Sequence, residues 1–260
     1  MQRRAFLGSA CAAGAAALGA AATRVPAAEV ANKPYLELRL YRMADAAHRA
    51  RFEAFLAKAA IGAWNAAGVK PVGVFVDLEG QSPDLRVLLA YDSPGQIVAV
   101  RRQAWKAMLS DEAVADIVRA EKQDPAYERI ESSLMLAFDG AAKVEVPAKT
   151  PGRIFQLRTY ESHSQAKAFR KVEMFNTGGE LAIFRACGMQ PVFFGETLVG
   201  GALPNLTYML TFPDMAAKEA GWKKFSQHPD WKKLSKDPRY KDTVSHITNL
   251  MLKPADCSQI

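Results

Sequence analysis

Leu36–Tyr41 reads LELRLY, and Phe155–Tyr160, 119 residues further on, reads FQLRTY. Apolar and polar side chains alternate in the first stretch, the period of a half-buried strand, so Arg39 and Tyr41 share one face and Leu40 and Arg42 the other. Four more matches follow in the same order. Gly68–Val72 (GVKPV) answers to Gly188–Val192 (GMQPV), Val87–Tyr91 (VLLAY) to Tyr208–Phe212 (YMLTF), Trp105 to Trp222, and Leu134–Leu136 (LML) to Leu250–Leu252 (LML). Their offsets run only from 116 to 121, and such order at a near-constant period marks two copies of one unit.

Each copy reads as strand, helix, strand, strand, helix, strand. In the first, residues 46–67 place Phe52, Phe55, Leu56, Ala59, Ala60 and Ala63 at helical spacing, and Gly68 supplies a stop. Residues 72–78 and 84–91 read as a hairpin around Gly80–Pro83, helices follow at 96–109 and 111–122, and a last strand at 130–138. The second copy gives strands at 153–160, 190–198, 206–212 and 244–252, with a helix at 164–186 weakened by Thr177-Gly178-Gly179 and another capped by Asp214. A βαββαβ unit makes a four-stranded antiparallel sheet with helices on one face, and its bare face needs cover. Two copies can cover each other. The expected fold is therefore α+β: two tandem ferredoxin-like βαββαβ units, 35–138 and 153–254, packed sheet to sheet as a dimeric α/β barrel and joined by the Pro- and Gly-bearing linker 139–152.

The termini and composition narrow the setting. Arg3 and Arg4 precede an apolar, alanine-rich stretch, and no acidic residue appears before Glu29. This is the pattern of an export signal, and RRAFL resembles the twin-arginine type. A leader at 1–28, cleaved after Ala22 or near Glu29, implies a periplasmic or secreted product with no stable membrane span in its mature chain. The chain carries +7, from 34 Lys and Arg against 27 Asp and Glu; loss of Arg3, Arg4 and Arg24 lowers this to +4. The basic, aromatic run from Lys218 to Lys241 reads as a solvated helix face, because Trp222 and Phe225 share helical spacing with Met215 and acidic residues dilute the charge; no nucleic-acid partner is expected. Cys187 and Cys257 allow one bridge or two free thiols.

At this level the sequence resembles a known family. FQLRTYESH, FRKVEMFNTGGELAIFRACGMQPVFFGETLVG, LPNLTYMLTFPDM and WKKFSQHPDWKKLSKDPRY together are similar to NIPSNAP proteins over nearly all of the second copy; the first copy is similar through LRLY, Gly68–Val72 and VLLAYDS. The resemblance implies the dimeric α/β-barrel fold and a family of poorly defined activity. Relatives of that fold include haem-binding proteins, cofactor-free monooxygenases and lactone isomerases, and fold alone does not choose among them.

Polar residues on strands and strand ends of the second copy are the candidates for a site. Arg158, Tyr160, Glu173, Asn176, Glu196, Asn205 and Tyr208 are expected to bind a small ligand. Glu161 and His163 sit two residues apart and, with His246, could carry acid–base chemistry. The first copy has Arg42 in place of Glu161 and no counterpart of His163, which directs the site to the second. No HxH or HxxxH pair and no CxxC appears, so no protein metal site is expected. The cofactor is left open; haem on His246 is a family-level option with no motif behind it. The leading expectation is an exported small-ligand binder. The alternatives are a cofactor-free or haem-dependent oxygenase or isomerase, and a protein–protein interaction module, with a homodimer or a protein partner.

Overall fold

The eight strands run β1 (Tyr35–Arg42), β2 (Gly73–Asp77), β3 (Leu85–Tyr91), β4 (Arg129–Ala137), β5 (Ile154–Glu161), β6 (Gln190–Val199), β7 (Asn205–Phe212) and β8 (His246–Pro254). The helices are α1 (Ala46–Phe55), α2 (Ile61–Ala66), α3 (Pro94–Leu109), α4 (Ala115–Val118), α5 (Gln165–Phe175), α6 (Glu180–Ala186), α7 (Met215–Gln227) and α8 (Pro229–Leu234). They come from a computed structural model that describes residues 33–260. The expected leader, with its twin-arginine signal, lies outside the described residues. Among the described residues no helix is long and apolar enough to cross a membrane.

All eight strands are antiparallel neighbours in one closed barrel, in the order β1-β3-β2-β8-β5-β7-β6-β4. Each copy contributes four strands, so the two ferredoxin-like units form the tandem dimeric α/β barrel expected from the repeat. The seams are β2–β8, with Phe75 opposite Pro254, and β4–β6, with Ala137 opposite Gly195. Strand alternation sorts side chains into three cores. Leu36, Phe75, Leu88, Met135, Phe155, Phe193, Met209 and Leu252 fill the barrel interior. Tyr41, Phe52, Trp64 and Val87 pack under the helices of the first copy, and Tyr160, Phe175, Phe184, Tyr208 and Phe225 under those of the second. Residues 255–260 close one end of the barrel: the Ala255 and Gln259 amides donate to the Val74 and Val72 carbonyls, and Ile260 is buried in the interior.

Several local readings change. The expected helix 46–67 is one unbroken run, but it passes through a π-helical segment, Leu56–Ala60. The helix expected at 111–122 shrinks to a 3-10 turn, Glu112–Val114, and the four-residue α4. The helix expected at 164–186 is cut in two. At Gly178 a Cβ would lie 2.6 Å from the Met174 carbonyl oxygen, and Gly179 has φ +93°, so only glycines let the chain turn from α5 into α6. The last strand lies two residues later than 244–252. Register also corrects two repeat matches. Met135 faces Leu36 and Leu252 faces Phe155, which makes Met135 the counterpart of Leu252 and shifts the LML match by one residue. Helix N-caps Ser93 and Asp214 place Trp222 one turn closer to its cap than Trp105, on the same helix face. Cys187 and Cys257 are free thiols.

The rings of Phe75 and Phe155 meet edge to face at 4.9 Å inside the barrel, one from each copy. Phe75→Ala removes a fully buried ring at this junction and should cost about 3–5 kcal/mol in urea unfolding, with both copies losing structure in one transition.

Candidate functional site

The repeat offers a built-in comparison of one site with its own copy. On β1, Glu37, Arg39 and Tyr41 face the helices of the first unit; Gln156, Arg158 and Tyr160 are their counterparts on β5. Ser132, opposite Arg39 on β4, corresponds to Asn249, opposite Arg158 on β8.

In the first copy the charges are closed on themselves. Arg39 grips Glu37 with two hydrogen bonds of 2.8 Å, from Nε and Nη2. The Tyr91 hydroxyl donates to Glu37 at 2.7 Å and Ser132 donates at 2.8 Å. Burial works against the Glu37 carboxylate, but the hydrogen bonds and charge of Arg39, with Tyr91 and Ser132, outweigh it and hold its pKa below the ordinary value. Burial, with Glu37 beside it, pushes the Tyr91 phenol up, so it stays protonated. Beside this network runs a narrow apolar cleft of about 60 Å³ bounded by Tyr41, Trp64, Trp105, Met108 and Ile130.

In the second copy the carboxylate is an amide, and the network changes partners. Gln156 accepts from the Trp222 indole at 2.6 Å and donates to Asn249 at 2.8 Å. Arg158 is left with no carboxylate within 4 Å among the described residues. Its guanidinium carbon lies 4.6 Å over the Trp222 ring and 5.3 Å over Tyr160, and its Nε is buried without a hydrogen-bond partner. Asn249 and Ile247 are exposed next to it on β8, so the guanidinium edge opens to solvent.

Deeper under the same helices Lys171 and Glu180, at 4% and 2% exposure, pair at 2.8 Å. The Lys171 ammonium lies 4.6 Å from the Phe175 ring centre and 5.5 Å from that of Tyr160. Neither residue stands out in the sequence. A helical Lys followed nine residues later by Glu across a Gly-Gly break gives no periodic signal, and only the fold of α5 onto α6 brings them together. Phe175, Phe184, Phe194 and Phe225 fill the rest of this layer.

The expected site residues separate into distinct places. Arg158, Tyr160 and Tyr208 lie together under the helices, with the two phenol oxygens 2.9 Å apart and both phenols raised by burial, Tyr208 most. Glu161, Asn205 and His246 are register partners on three adjacent strands, on the interior side of the barrel at its open end. His163 is exposed on the loop after β5 and joins neither group. Glu173 pairs with Arg170 at the helix surface and accepts from the Tyr240 hydroxyl at 3.3 Å. Asn176 accepts from the Gly140 amide at 3.1 Å, a structural tie to the linker. Glu196 stands apart on β6, its pKa raised by burial and opposed by Lys33. One expected site is thus at least two, and Glu173, Asn176, Glu196 and His163 belong to neither.

No group of three His, Cys, Asp or Glu suited to a metal ion occurs among the described residues. Haem does not fit the residues present. His246 is exposed at the rim of an eight-stranded barrel whose interior is wide enough only for side chains or one small ligand, and the helix–sheet layer beside it is filled with aromatic rings.

Two ferredoxin-like units closed into one barrel, with helices outside, define a tandem dimeric α/β-barrel protein. The chain belongs to the NIPSNAP family, whose model matches it twice, over residues 36–140 and 155–259. Solved structures share the whole architecture at low identity. A Lactobacillus acidophilus NCFM protein (12% identity, TM-score 0.59, covering 85% of this chain and 94% of that one) and a Fusobacterium nucleatum subsp. nucleatum protein (10%, 0.55, 85% and 92%) are each named "putative monooxygenase". An anthrone oxidase-like protein is similar at 9% identity, with TM-score 0.52 and coverage of 86% and 92%. At such identities the likeness is one of fold. No protein of curated function matches the sequence.

The buried charges set two expectations for stability. Lys171→Met leaves the Glu180 carboxylate buried alone and should cost about 3–5 kcal/mol in chemical denaturation, most of it recovered in Lys171→Met/Glu180→Leu. Because the folded pKa of Glu37 lies below its unfolded value of about 4.3, its contribution is present above that value and is lost as pH falls through the folded pKa. Glu37→Gln should therefore flatten the acid limb of the stability–pH curve, read from unfolding midpoints.

Proposed function

We propose that this NIPSNAP protein binds a small planar carboxylate at Arg158 of its second unit. The observation that carries the reading is the uncompensated guanidinium. Where the first copy neutralises Arg39 with Glu37, the second presents Gln156, and Arg158 is stacked on Trp222 with its edge open and its Nε unpartnered. Stacking on an indole fixes the plane of a guanidinium, and with Nε sealed the two Nη groups on the open edge form the fork that matches a carboxylate. Trp222 and the half-exposed Ile247 give a planar apolar body something to lie against, and Asn249 adds an amide beside the charged end. The export signal read from the sequence supports a periplasmic or secreted setting for this binding.

The oxygenase names carried by the structural neighbours belong to those proteins. Of the residues expected to carry acid–base chemistry, Glu161 and His246 are opposite each other on β5 and β8, and His163 lies on the loop after β5.

Isothermal titration with benzoate tests the proposal. The wild-type protein should bind it. Arg158→Gln should weaken binding by about 10–100-fold, the effect of losing a charge-assisted hydrogen bond, with Arg158→Lys in between because it keeps charge but loses the fork. Binding unaffected by Arg158→Gln, or no binding by folded wild type, would overturn it.

A further inference from the structure

A second arginine without a counter-ion lies inside the barrel. Near one end the interior core ends at Leu38, Leu88 and Leu250, and the next inward layer turns polar. Leu40 and Arg86 face each other across β1 and β3, Glu131 lies beside Leu40 on β4, and Thr159, Thr207 and Thr248 form a row across β7, β5 and β8. Thr159 and Thr207 share a 2.8 Å hydrogen bond. Glu131 and Thr248 are exposed, as are the residues on both faces of β4 and β8 around them, where β6 and β2 no longer flank these strands; Thr159 and Arg86 are half-buried and Thr207 is buried.

Arg86 is the cation of this layer. Among the described residues no carboxylate lies within 4 Å of it, because its neighbours are already engaged. Asp84 pairs with Arg42 at 2.8 Å and accepts from the Met43 amide, and Glu131 pairs with Arg42 at 3.0 Å. Arg86 is half-buried, and burial, with the charge of Arg42, lowers its pKa against the more distant charges of Asp84, Asp77 and Glu131. None of its nitrogens is among the sealed, unpartnered atoms, so the guanidinium meets water.

The rim carries both signs, with Arg42 and Arg129 opposite each other on β1 and β4 and carboxylates on the neighbouring strands. Asp77 and Glu161 stand at inward-facing positions toward the same end; Asp77 accepts from the Gln81 amide at 2.8 Å, and neither carboxylate has a salt-bridge partner among the described residues. A molecule with a carboxylate at one end and an ammonium at the other matches Arg86 and these carboxylates. We propose that the barrel mouth is a second site that takes a small zwitterion of the α-amino-acid class, with its carboxylate on Arg86 and the threonine hydroxyls and its ammonium toward Glu161 and Asp77. Eight-stranded barrels have room for one ligand of that size.

Calorimetric titration of the full chain with L-leucine, and with acetate and butylamine as its two charged halves, tests the assignment. L-Leucine should bind, more tightly than either half. Arg86→Gln should weaken it by about 10–100-fold and Arg86→Lys less. Glu161→Gln, at the solvent-facing rim, should also weaken L-leucine but not acetate, and serves if Arg86→Gln fails to fold. No L-leucine binding at millimolar concentration, acetate binding as tightly as L-leucine, or binding indifferent to both substitutions would overturn the proposal.

Discussion

Each βαββαβ unit leaves a bare sheet face and two unpaired edge strands, neither tolerable alone in water, so the rest of the structure depends on closing the two sheets into one barrel. The β2–β8 and β4–β6 seams join the edges over three and four residue pairs, and packing of Phe75, Phe155, Leu88 and Met209 in the shared interior buries the faces. Because both copies sit in one chain, they need not remain identical. Each is held by the other and can diverge on its own helix-covered face.

That freedom is visible at one register position. Glu37 in the first copy and Gln156 in the second occupy equivalent places, yet they set opposite fates for the arginine two residues later. Arg39 is locked in a bidentate pair, and its copy is a closed electrostatic unit. Arg158 keeps its aromatic stacking but not its counter-ion. The same contrast holds within the barrel. Arg42 consumes Asp84 and Glu131, leaving Arg86 without a partner at the same open end. An unpaired guanidinium close to water and flanked by flat or hydroxyl-bearing side chains is the feature common to both proposed sites.

Much of this was legible in the sequence, because the repeat carries it. LELRLY and FQLRTY placed the first strand of each unit, the offset implied two copies, and the bare sheet faces implied the barrel. Helix continuity was less legible: the two glycines act through a 2.6 Å clash and a left-handed turn that periodicity does not register. The site was legible only in part. Arg158, Tyr160 and Tyr208 emerged because strand period places alternate residues on one face, and Glu161, Asn205 and His246 fell on the other face for the same reason. The Lys171–Glu180 pair and the role of Trp222 depend on how helices fold over the sheet, which no local pattern records. Arg86 escaped notice because VLLAY reads as an ordinary buried strand, and only the register shows that the residue before it points into the barrel.

Replacement of one carboxylate by an amide is what opens the second copy to a ligand, and the most direct measurement restores the carboxylate. Benzoate titration of Gln156→Glu rebuilds in the second copy the pair that closes the first. Binding should fall by about 10–100-fold while the fold is retained, since the introduced carboxylate would occupy the fork of Arg158 as Glu37 occupies that of Arg39. Unchanged benzoate affinity in a folded Gln156→Glu protein would contradict the account.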